Sequence, residues 1–98
     1  MRKTRWSKVY ESSEEELVAF LQERSIQAAH ISIEAYDEQA YAAAPHEVSL
    51  WCAEGSAIVQ SGATSMSLQP GDVIRISPDT DYSVHAGISG CAFYQQGQ

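Results

Sequence analysis

The stretch Gln69–Gly87, QPGDVIRISPDTDYSVHAG, decides the fold class of this chain. It contains two dipeptides that are typical of tight turns, Pro70-Gly71 and Pro78-Asp79. The segments VIRIS and YSVHA, which follow these turns, alternate apolar and polar residues as half-buried β-strands do. The stretch therefore predicts a turn, a strand, a second turn and a second strand.

Strand-like alternation continues on both sides of this stretch. Further strand candidates are AHISIEAY, HEVSLWCA, SAIVQS, TSMSL and CAFYQ, separated by turn signals at Glu54-Gly55, Ser61-Gly62 and residues 87–90. Short strands at near-regular spacing are typical of all-β sandwiches and barrels. We therefore expect an all-β barrel of six to eight antiparallel strands over about residues 27–96.

One helix is predicted before the strands, at about residues 13–24. Ser13 and Glu16 fit a capping box, in which each side chain satisfies a free backbone N–H group. The three glutamates of the first turn also suit the helix dipole, so we interpret them as a solvated helix start and not as a cluster of catalytic acids. The apolar face of this helix is formed by Leu17, Phe20 and Leu21.

Size and charge narrow the class of protein. The chain has 98 residues, which suits a single domain over residues 1–98 with a thin core. Its formal net charge is -7, and all thirteen acidic residues follow Lys8. Such an acidic body repels phosphate backbones, so we expect no nucleic-acid partner. We interpret the basic start, MRKTRWSK, as a terminal strand or tail near this body rather than as a nucleic-acid arm.

The two cysteines, Cys52 and Cys91, lie in apolar runs without C-x-x-C spacing. They are too few for a disulfide scaffold, and we interpret them as small buried hydrophobes, with a single bridge left open. No apolar run approaches the length of a membrane span, and no apolar segment follows the charged start as in a secretory signal. We therefore expect a cytoplasmic protein that does not enter a membrane.

The region His46–Tyr94 resembles the cupin family, whose members are small double-stranded β-barrels. WCAEGSAIV is similar to the strand, glycine turn and strand of the first cupin box, LQPGDVIRISPDTDY is similar to the second box, and GCAFYQ is similar to the closing strand. Residues 26–45 match only loosely. The resemblance implies a jelly-roll barrel with the predicted helix attached at its N-terminal side.

The resemblance also implies where a metal would be bound, because metal-binding cupins use three histidines and one glutamate. Counted from the turn glycines, these four positions are occupied here by Ala42, Ala44, Val48 and Tyr82. Alanine and valine have no donor atom, and a neutral tyrosine is a poor ligand. We therefore expect no metal and no cofactor. Whether His46, Glu47 and His85 rebuild a different site is left open, although alternation points them in diverging directions.

Alternation along the strand predicts that His46 lies on the face of Val48 and points into the barrel near Tyr82. An imidazole beside a phenol can bind a polar ligand group or move a proton, or the two can simply bond to each other or to water. The candidate pocket comprises His46, Val48, Leu50, Cys52, Met66, Tyr82 and Val84. His30 and His85 are expected to point outward. Trp51 lies on the opposite face, against the helix, a second sheet or another subunit.

Three functions remain open, and so does the question whether the protein is an enzyme. The first is a metal-free cupin-like protein that binds a small molecule. The second is a metal-independent isomerase or lyase with His46 and Tyr82 as base and acid, and the third is a degenerate structural or partner-binding barrel. An open interior that joins His46 to Tyr82 favours the first two, and a filled interior favours the third. We also expect a homodimer, because of the thin core, the strand edges and the outward Trp51.

Overall fold

The computed structural model describes residues 1–8 and 12–98. Within these residues the chain forms one helix, α1 (Glu14–Glu23), and seven strands. The strands are β1 (Arg2–Arg5), β2 (Ala29–Ile33), β3 (Glu38–Tyr41), β4 (Val48–Ser61), β5 (Thr64–Leu68), β6 (Asp72–Ile76) and β7 (Tyr82–Gln96). The predicted all-β architecture with one N-terminal helix is confirmed. Among the same residues, no helix is long and apolar enough to cross a membrane.

The described strands form a single antiparallel sheet in the order β1-β6-β4-β7-β2, with β3 added to β7 and β5 added to β4. The two long strands, β4 and β7, pair with each other at both of their ends. Cys52 lies opposite Phe93 at one end, and Val59 lies opposite Val84 at the other. Each long strand therefore contributes to both halves of the barrel.

Two predicted turns are wrong, because they lie inside the long strands. Glu54-Gly55 falls within β4, where the pairing register shifts on both sides of it. Residues 87–90 fall within β7, opposite the single residue Ser56. A β-bulge bends a strand without ending its pairing, and it uses glycine as a turn does. The local sequence therefore does not distinguish a bulge from a turn at these two places.

Apolar side chains of β4, β6 and β7 fill the barrel. Leu50, Val59, Val84 and Phe93 are fully buried in this cluster. They alternate with residues that face outward, as the sequence pattern predicts. Complete burial of a side chain of this size stabilises a fold by about 1.5–3 kcal/mol, so this cluster is the main source of stability.

Helix α1 packs on the outer face of the sheet. The Ser13 side-chain oxygen accepts a hydrogen bond from the Glu16 backbone N–H at 3.2 Å, which confirms the predicted cap. Leu17 and Leu21 are buried with Trp51 in a second apolar cluster. Trp51 therefore points away from the interior, as predicted, but only 2% of it is exposed. The helix covers it, so Trp51 no longer supports the expectation of a subunit interface.

The basic N-terminal segment forms β1, which pairs with β6 so that Arg5 lies opposite Asp72. Arg5 Nη1 donates to Asp72 Oδ1 at 3.0 Å, and Arg75 Nη1 donates to Thr4 Oγ1 at 2.8 Å. The Asp72 carboxylate also accepts from the Gln69 backbone N–H at 3.0 Å and so closes the Pro-Gly-Asp turn. These contacts confirm the interpretation of the basic start as a terminal strand.

Candidate functional site

The predicted interior pocket is packed with its own side chains. Val48, Leu50, Cys52 and Val84 are buried in the main cluster, and Met66 is partly buried against it. The sequence pattern therefore places these residues on the correct face. They fill the interior at close range, as protein cores do, instead of lining an open pocket.

The predicted inward orientation of His46 is wrong. His46 lies in a bend before β4, which begins at Val48, and its side chain is exposed. The alternation of faces holds only within a strand, so it does not extend to this residue. A Cβ atom added to Gly97 would lie 3.3 Å from His46 Cδ2, which places the imidazole beside the C-terminal segment.

Tyr82 points inward, as predicted, and is 4% exposed. Its hydroxyl accepts a hydrogen bond from Gln95 Nε2. Its ring stacks on Tyr41, with centroids 5.0 Å apart and planes inclined by 18°. Burial raises the pKa of Tyr82 above its usual value, although the Gln95 hydrogen bond lowers it in part. Within the described chain the Tyr82 hydroxyl bonds to Gln95 and not to His46, so the predicted His–Tyr pair is not formed.

The residues at the four family metal positions do not fit a metal ion. Ala42, Ala44 and Val48 carry no donor atom. The fourth position offers only the Tyr82 hydroxyl, which is bonded to Gln95. A metal ion held at these positions would lack the convergent donors that binding requires.

The three donors left open by the sequence are not brought together. The Glu47 carboxylate lies 3.6 Å from Arg2 Nη2 and 3.9 Å from Arg75 Nε. The His85 imidazole instead forms a hydrogen bond with the Glu38 carboxylate on the outer face. His46 lies beside the C-terminal segment. In residues 1–8 and 12–98, no group of three His, Cys, Asp or Glu side chains is placed to hold a metal.

We expect protein purified without a metal-affinity tag to contain no stoichiometric transition metal by elemental analysis. Tyr82→His should leave this result unchanged, because Ala42, Ala44 and Val48 still lack donor atoms. The contrary result is a stoichiometric amount of iron, manganese, nickel or zinc that disappears in His46→Ala. That result would indicate a metal site built on His46 with relocated partners.

A different site lies on the outer face, at one end of the barrel. Here β7 is paired with β3 on one side and with β4 on the other, so that Ser83 lies opposite both Ala40 and Gln60. A cleft of about 390 Å³ opens over these strands and the loop after β4. Its lining residues are Ala40, Tyr41, Gln60, Ser61, Gly62, Asp81, Tyr82, Ser83 and His85.

Ser83, His85 and Glu38 form a hydrogen-bonded chain at this cleft. The distance from Ser83 Oγ to His85 Nε2 is 2.9 Å, and the distance from His85 Nδ1 to Glu38 Oε2 is also 2.9 Å. A carboxylate only accepts hydrogen bonds, so Nδ1 must carry a proton. In the neutral imidazole, Nε2 is then the acceptor, and the Ser83 hydroxyl donates to it. The geometry therefore selects one tautomer of His85.

The sequence analysis singled out one of these three hydrogen-bonded residues, His85, but did not predict its contacts with Ser83 and Glu38. His85 was expected to point outward, and it does so on β7. Ser83 is two residues away on the same strand, so alternation alone places the two on one face. Glu38 reaches His85 only across the β3–β7 pairing, and β3 was not predicted. The S-x-H spacing in YSVHA was the signal that could have identified the first two members.

The charge of the cleft limits what can bind there. The described residues that line it include Asp81 but neither Lys nor Arg, and Glu38 lies beside His85 at its edge. The Asp81 backbone carbonyl accepts a hydrogen bond from Ser61 Oγ at 2.9 Å, which holds the two sides of the cleft together. Acidic groups without basic counterparts repel anions, so this cleft suits neutral or cationic molecules.

Cys52 and Cys91 are both free and buried, which confirms their interpretation as small buried hydrophobes. A hydrogen bond with Cys91 and burial raise the pKa of the Cys52 thiol far above its usual value. A thiol that keeps its proton is a weak nucleophile. Cys52 therefore packs the core and is not a reactive group.

No family model matches this sequence, and no curated protein matches it. Several solved structures share its fold. The plu4264 protein of Photorhabdus luminescens superposes with a TM-score of 0.65 at 17% identity, over 69% of this chain and 57% of that chain. The cupin domain of Drosophila melanogaster CENP-C, also solved bound to CAL1, superposes with a TM-score of 0.63 at 21% identity, over 69% of this chain and 57% of that chain. The cupin superfamily protein DSY2733 of Desulfitobacterium hafniense gives a TM-score of 0.63 at 12% identity, over 96% of this chain and 72% of that chain.

These structures confirm the cupin fold that the region His46–Tyr94 predicts. The chain spans less than two thirds of the length of the first two structures. At identities of 12–21% the likeness concerns the fold alone, and one fold carries many functions. The function must therefore be argued from the residues of this chain.

Proposed function

We propose that this cupin-fold domain is a metal-free protein that binds a small molecule in the outer cleft. The observation that carries the proposal is the cleft itself, with its volume of about 390 Å³ and its mixed aromatic and polar lining. Small-molecule sites commonly measure about 300–1,000 Å³. The barrel interior, where the sequence placed the pocket, is instead occupied by core side chains.

The lining residues favour a flat, neutral or cationic ligand. Tyr41, which is half-buried in the cleft lining and stacks on the buried Tyr82, provides an aromatic surface that a planar group can contact. Gln60, Ser61 and Ser83 provide hydrogen-bond donors and acceptors around it. Anionic ligands such as nucleotide sugars are disfavoured, because Asp81 lies in the lining without a basic partner there.

Two alternative functions differ in how well the structure supports them. The structure gives little support to an isomerase or lyase that uses His46 and Tyr82, because His46 is exposed outside the barrel and the Tyr82 hydroxyl is hydrogen-bonded to Gln95. A structural or partner-binding barrel is favoured by the packed interior. The CENP-C cupin domain, which has been solved bound to CAL1, illustrates how such a fold serves partner binding.

We also propose that the protein is a homodimer, and that it works in the cytoplasm, where the free thiols of Cys52 and Cys91 stay reduced. Among the described strands, β1, β2, β3 and β5 each pair along one edge only. Tyr36 is a large aromatic residue that is 76% exposed. Open strand edges and exposed apolar side chains are liabilities that pairing between subunits removes. Light scattering at high protein concentration tests this proposal, and a monomer mass contradicts it.

The binding proposal predicts that Tyr41→Ala weakens ligand binding about two- to tenfold, because one aromatic contact is worth about 0.5–1.5 kcal/mol. Ligands are first identified by thermal shift with neutral and cationic aromatic compounds, since a ligand of the native state raises apparent stability. The dissociation constant is then measured by titration of the folded variants. Tyr36→Ala is the matched control, because Tyr36 is 76% exposed and lies outside the cleft lining. A dissociation constant that Tyr41→Ala leaves unchanged, or a screen without any stabilising compound, argues against the outer cleft as a ligand site.

A further inference from the structure

We propose that Ser83, His85 and Glu38 form a relay that makes Ser83 a nucleophile toward small neutral or cationic esters. This inference rests on the proposed function, because the ester would occupy the same outer cleft. Ser83 Oγ lies 2.9 Å from His85 Nε2, and His85 Nδ1 lies 2.9 Å from Glu38 Oε2. Ser83 and His85 also line the cleft. A nucleophile, a base and a group that orients the base are the components of activated-serine catalysis, whatever the fold that carries them.

The strands hold this relay in place from both sides. Ser83 and His85 project from β7, which is hydrogen-bonded to β3 and β4 along this stretch. Glu38 lies directly opposite His85 on β3. Their backbones are therefore fixed by sheet pairing, which positions side chains more accurately than a loop does. The His85 and Glu38 side chains are 37% and 67% exposed, so a substrate reaches the relay from solvent.

A second imidazole–carboxylate pair in this protein provides an internal comparison. His30 Nε2 lies 3.5 Å from Glu14 Oε1, and the His30 side chain is 46% exposed. Within the described residues, no serine hydroxyl is hydrogen-bonded to His30, whereas Ser83 is bonded to His85. The two histidines therefore differ in the presence of a nucleophile, although both lie at the surface.

The reaction balances with water as the only co-reactant. Ser83 Oγ attacks the ester carbonyl carbon while His85 Nε2 takes the hydroxyl proton. The carbon–oxygen bond to the alcohol then breaks, and the alcohol leaves with that proton, which gives an acyl-Ser83 ester. A water molecule next attacks the acyl carbon and transfers a proton to Nε2. The bond to Ser83 Oγ breaks, the proton returns to Oγ, and a carboxylic acid is released.

The surrounding groups indicate the class of ester. Gln60 lies directly opposite Ser83 across the β4–β7 pairing and lines the cleft, so its side-chain amide can donate to the carbonyl oxygen as negative charge develops there. Asp81 in the lining disfavours substrates that carry a free carboxylate or phosphate. The same charge repels the carboxylate product. The cleft therefore suits small neutral or cationic esters and releases their acids.

The first experiment measures hydrolysis of 4-nitrophenyl acetate by the full chain. We expect Ser83→Ala and His85→Ala each to lower the rate by about 100-fold or more, because the first removes the nucleophile and the second removes its general base. His30→Ala is the matched control and should retain the wild-type rate, because it changes the histidine pair that has no bonded serine. Circular dichroism verifies that each variant is folded. Equal rates in wild type, Ser83→Ala and His85→Ala would overturn the relay.

The second experiment uses the wild-type protein and does not depend on any variant being folded. Phenylmethylsulfonyl fluoride sulfonylates activated serines, and peptide mass spectrometry identifies the modified residue. We expect the label on Ser83, with His30→Ala labelled equally and His85→Ala unlabelled. A label confined to other residues, or no label at all, contradicts the proposal. A ligand that binds the cleft in a protein without Ser83 labelling would leave the proposed binding function intact and refute only the relay.

Glu38 is a positioning residue, because it acts on His85 and not on the substrate. In Glu38→Gln the amide can either donate or accept, so it no longer selects the tautomer with the proton on Nδ1. We expect the ¹⁵N spectrum of His85 to change from that one tautomer to a mixture, together with slower labelling of Ser83. An unchanged tautomer in Glu38→Gln would show that the carboxylate does not orient the imidazole.

Discussion

Gly55→Ala is expected to destabilise the fold by about 2–5 kcal/mol, because two penalties coincide at this residue. Gly55 has φ = +75°, a left-handed conformation that costs an L-residue about 1–2 kcal/mol. A Cβ atom at this position would also collide with the backbone carbonyl oxygen of Gly90. That oxygen belongs to β7, which is paired on both sides of the bulge, so relief of the collision requires movement of the sheet.

Gly62→Ala is the matched control for this substitution. Gly62 also has a positive φ, +58°, but among the described residues a Cβ atom there would meet no heavy atom within 4 Å other than those of its chain neighbours. Gly62→Ala should therefore lower the free energy of unfolding only by the cost of the left-handed conformation, about 1–2 kcal/mol. Urea denaturation of the two variants measures the difference. Equal losses would mean that β4 and β7 separate easily at the bulge, contrary to the close approach of Gly55 and Gly90.

Phe93→Ala is expected to lower the free energy of unfolding by about 3–5 kcal/mol. Phe93 is fully buried, and its strand lies between β2 and β4, where it pairs with Ile31 and Cys52. Removal of the ring leaves a cavity that surrounding strands cannot close without breaking their hydrogen bonds. Small domains have total stabilities of about 5–15 kcal/mol, so the variant should melt at a much lower temperature.

Ile88→Ala is the control for Phe93→Ala, because it removes a large apolar side chain that is 75% exposed in the same strand. Its stability should remain within about 0.5 kcal/mol of wild type. Chemical denaturation followed by tryptophan fluorescence reports both variants, since Trp51 is buried against the same sheet. A loss of less than about 1 kcal/mol in Phe93→Ala would mean that the barrel interior is not the main source of stability.

The Pro-Gly-Asp turn serves the fold without serving a metal. Asp72 is buried and bonds both to Arg5 on β1 and to the backbone of Gln69. Gly71 has φ = +98°, and the Arg5 guanidinium lies where its Cβ would be. The turn therefore anchors the terminal strand. These contacts depend on Asp72 and Gly71 and need no metal ligand at the position of Tyr82.

The class of fold and the face of most strand residues follow from local patterns in the sequence. Alternation placed Leu50 and Val84 inside and Trp51 and His85 outside, and all four orientations are confirmed. The cap at Ser13 began the helix where it was predicted. These features depend on local physics, namely the period of a strand and the free N–H groups of a helix end, which the order of residues encodes directly.

The ends of the strands, and the side chains that meet across them, depend instead on how the whole chain packs. This packing extended β4 through Gly55 as a bulge, left His46 outside the strand, and covered Trp51 with the helix. It also brought Glu38 to His85, because the β3–β7 register places these two residues directly opposite each other although they lie far apart in the sequence. Partner choice between strands depends on the packing of the whole sheet, and a local pattern with a period of two carries no information about it.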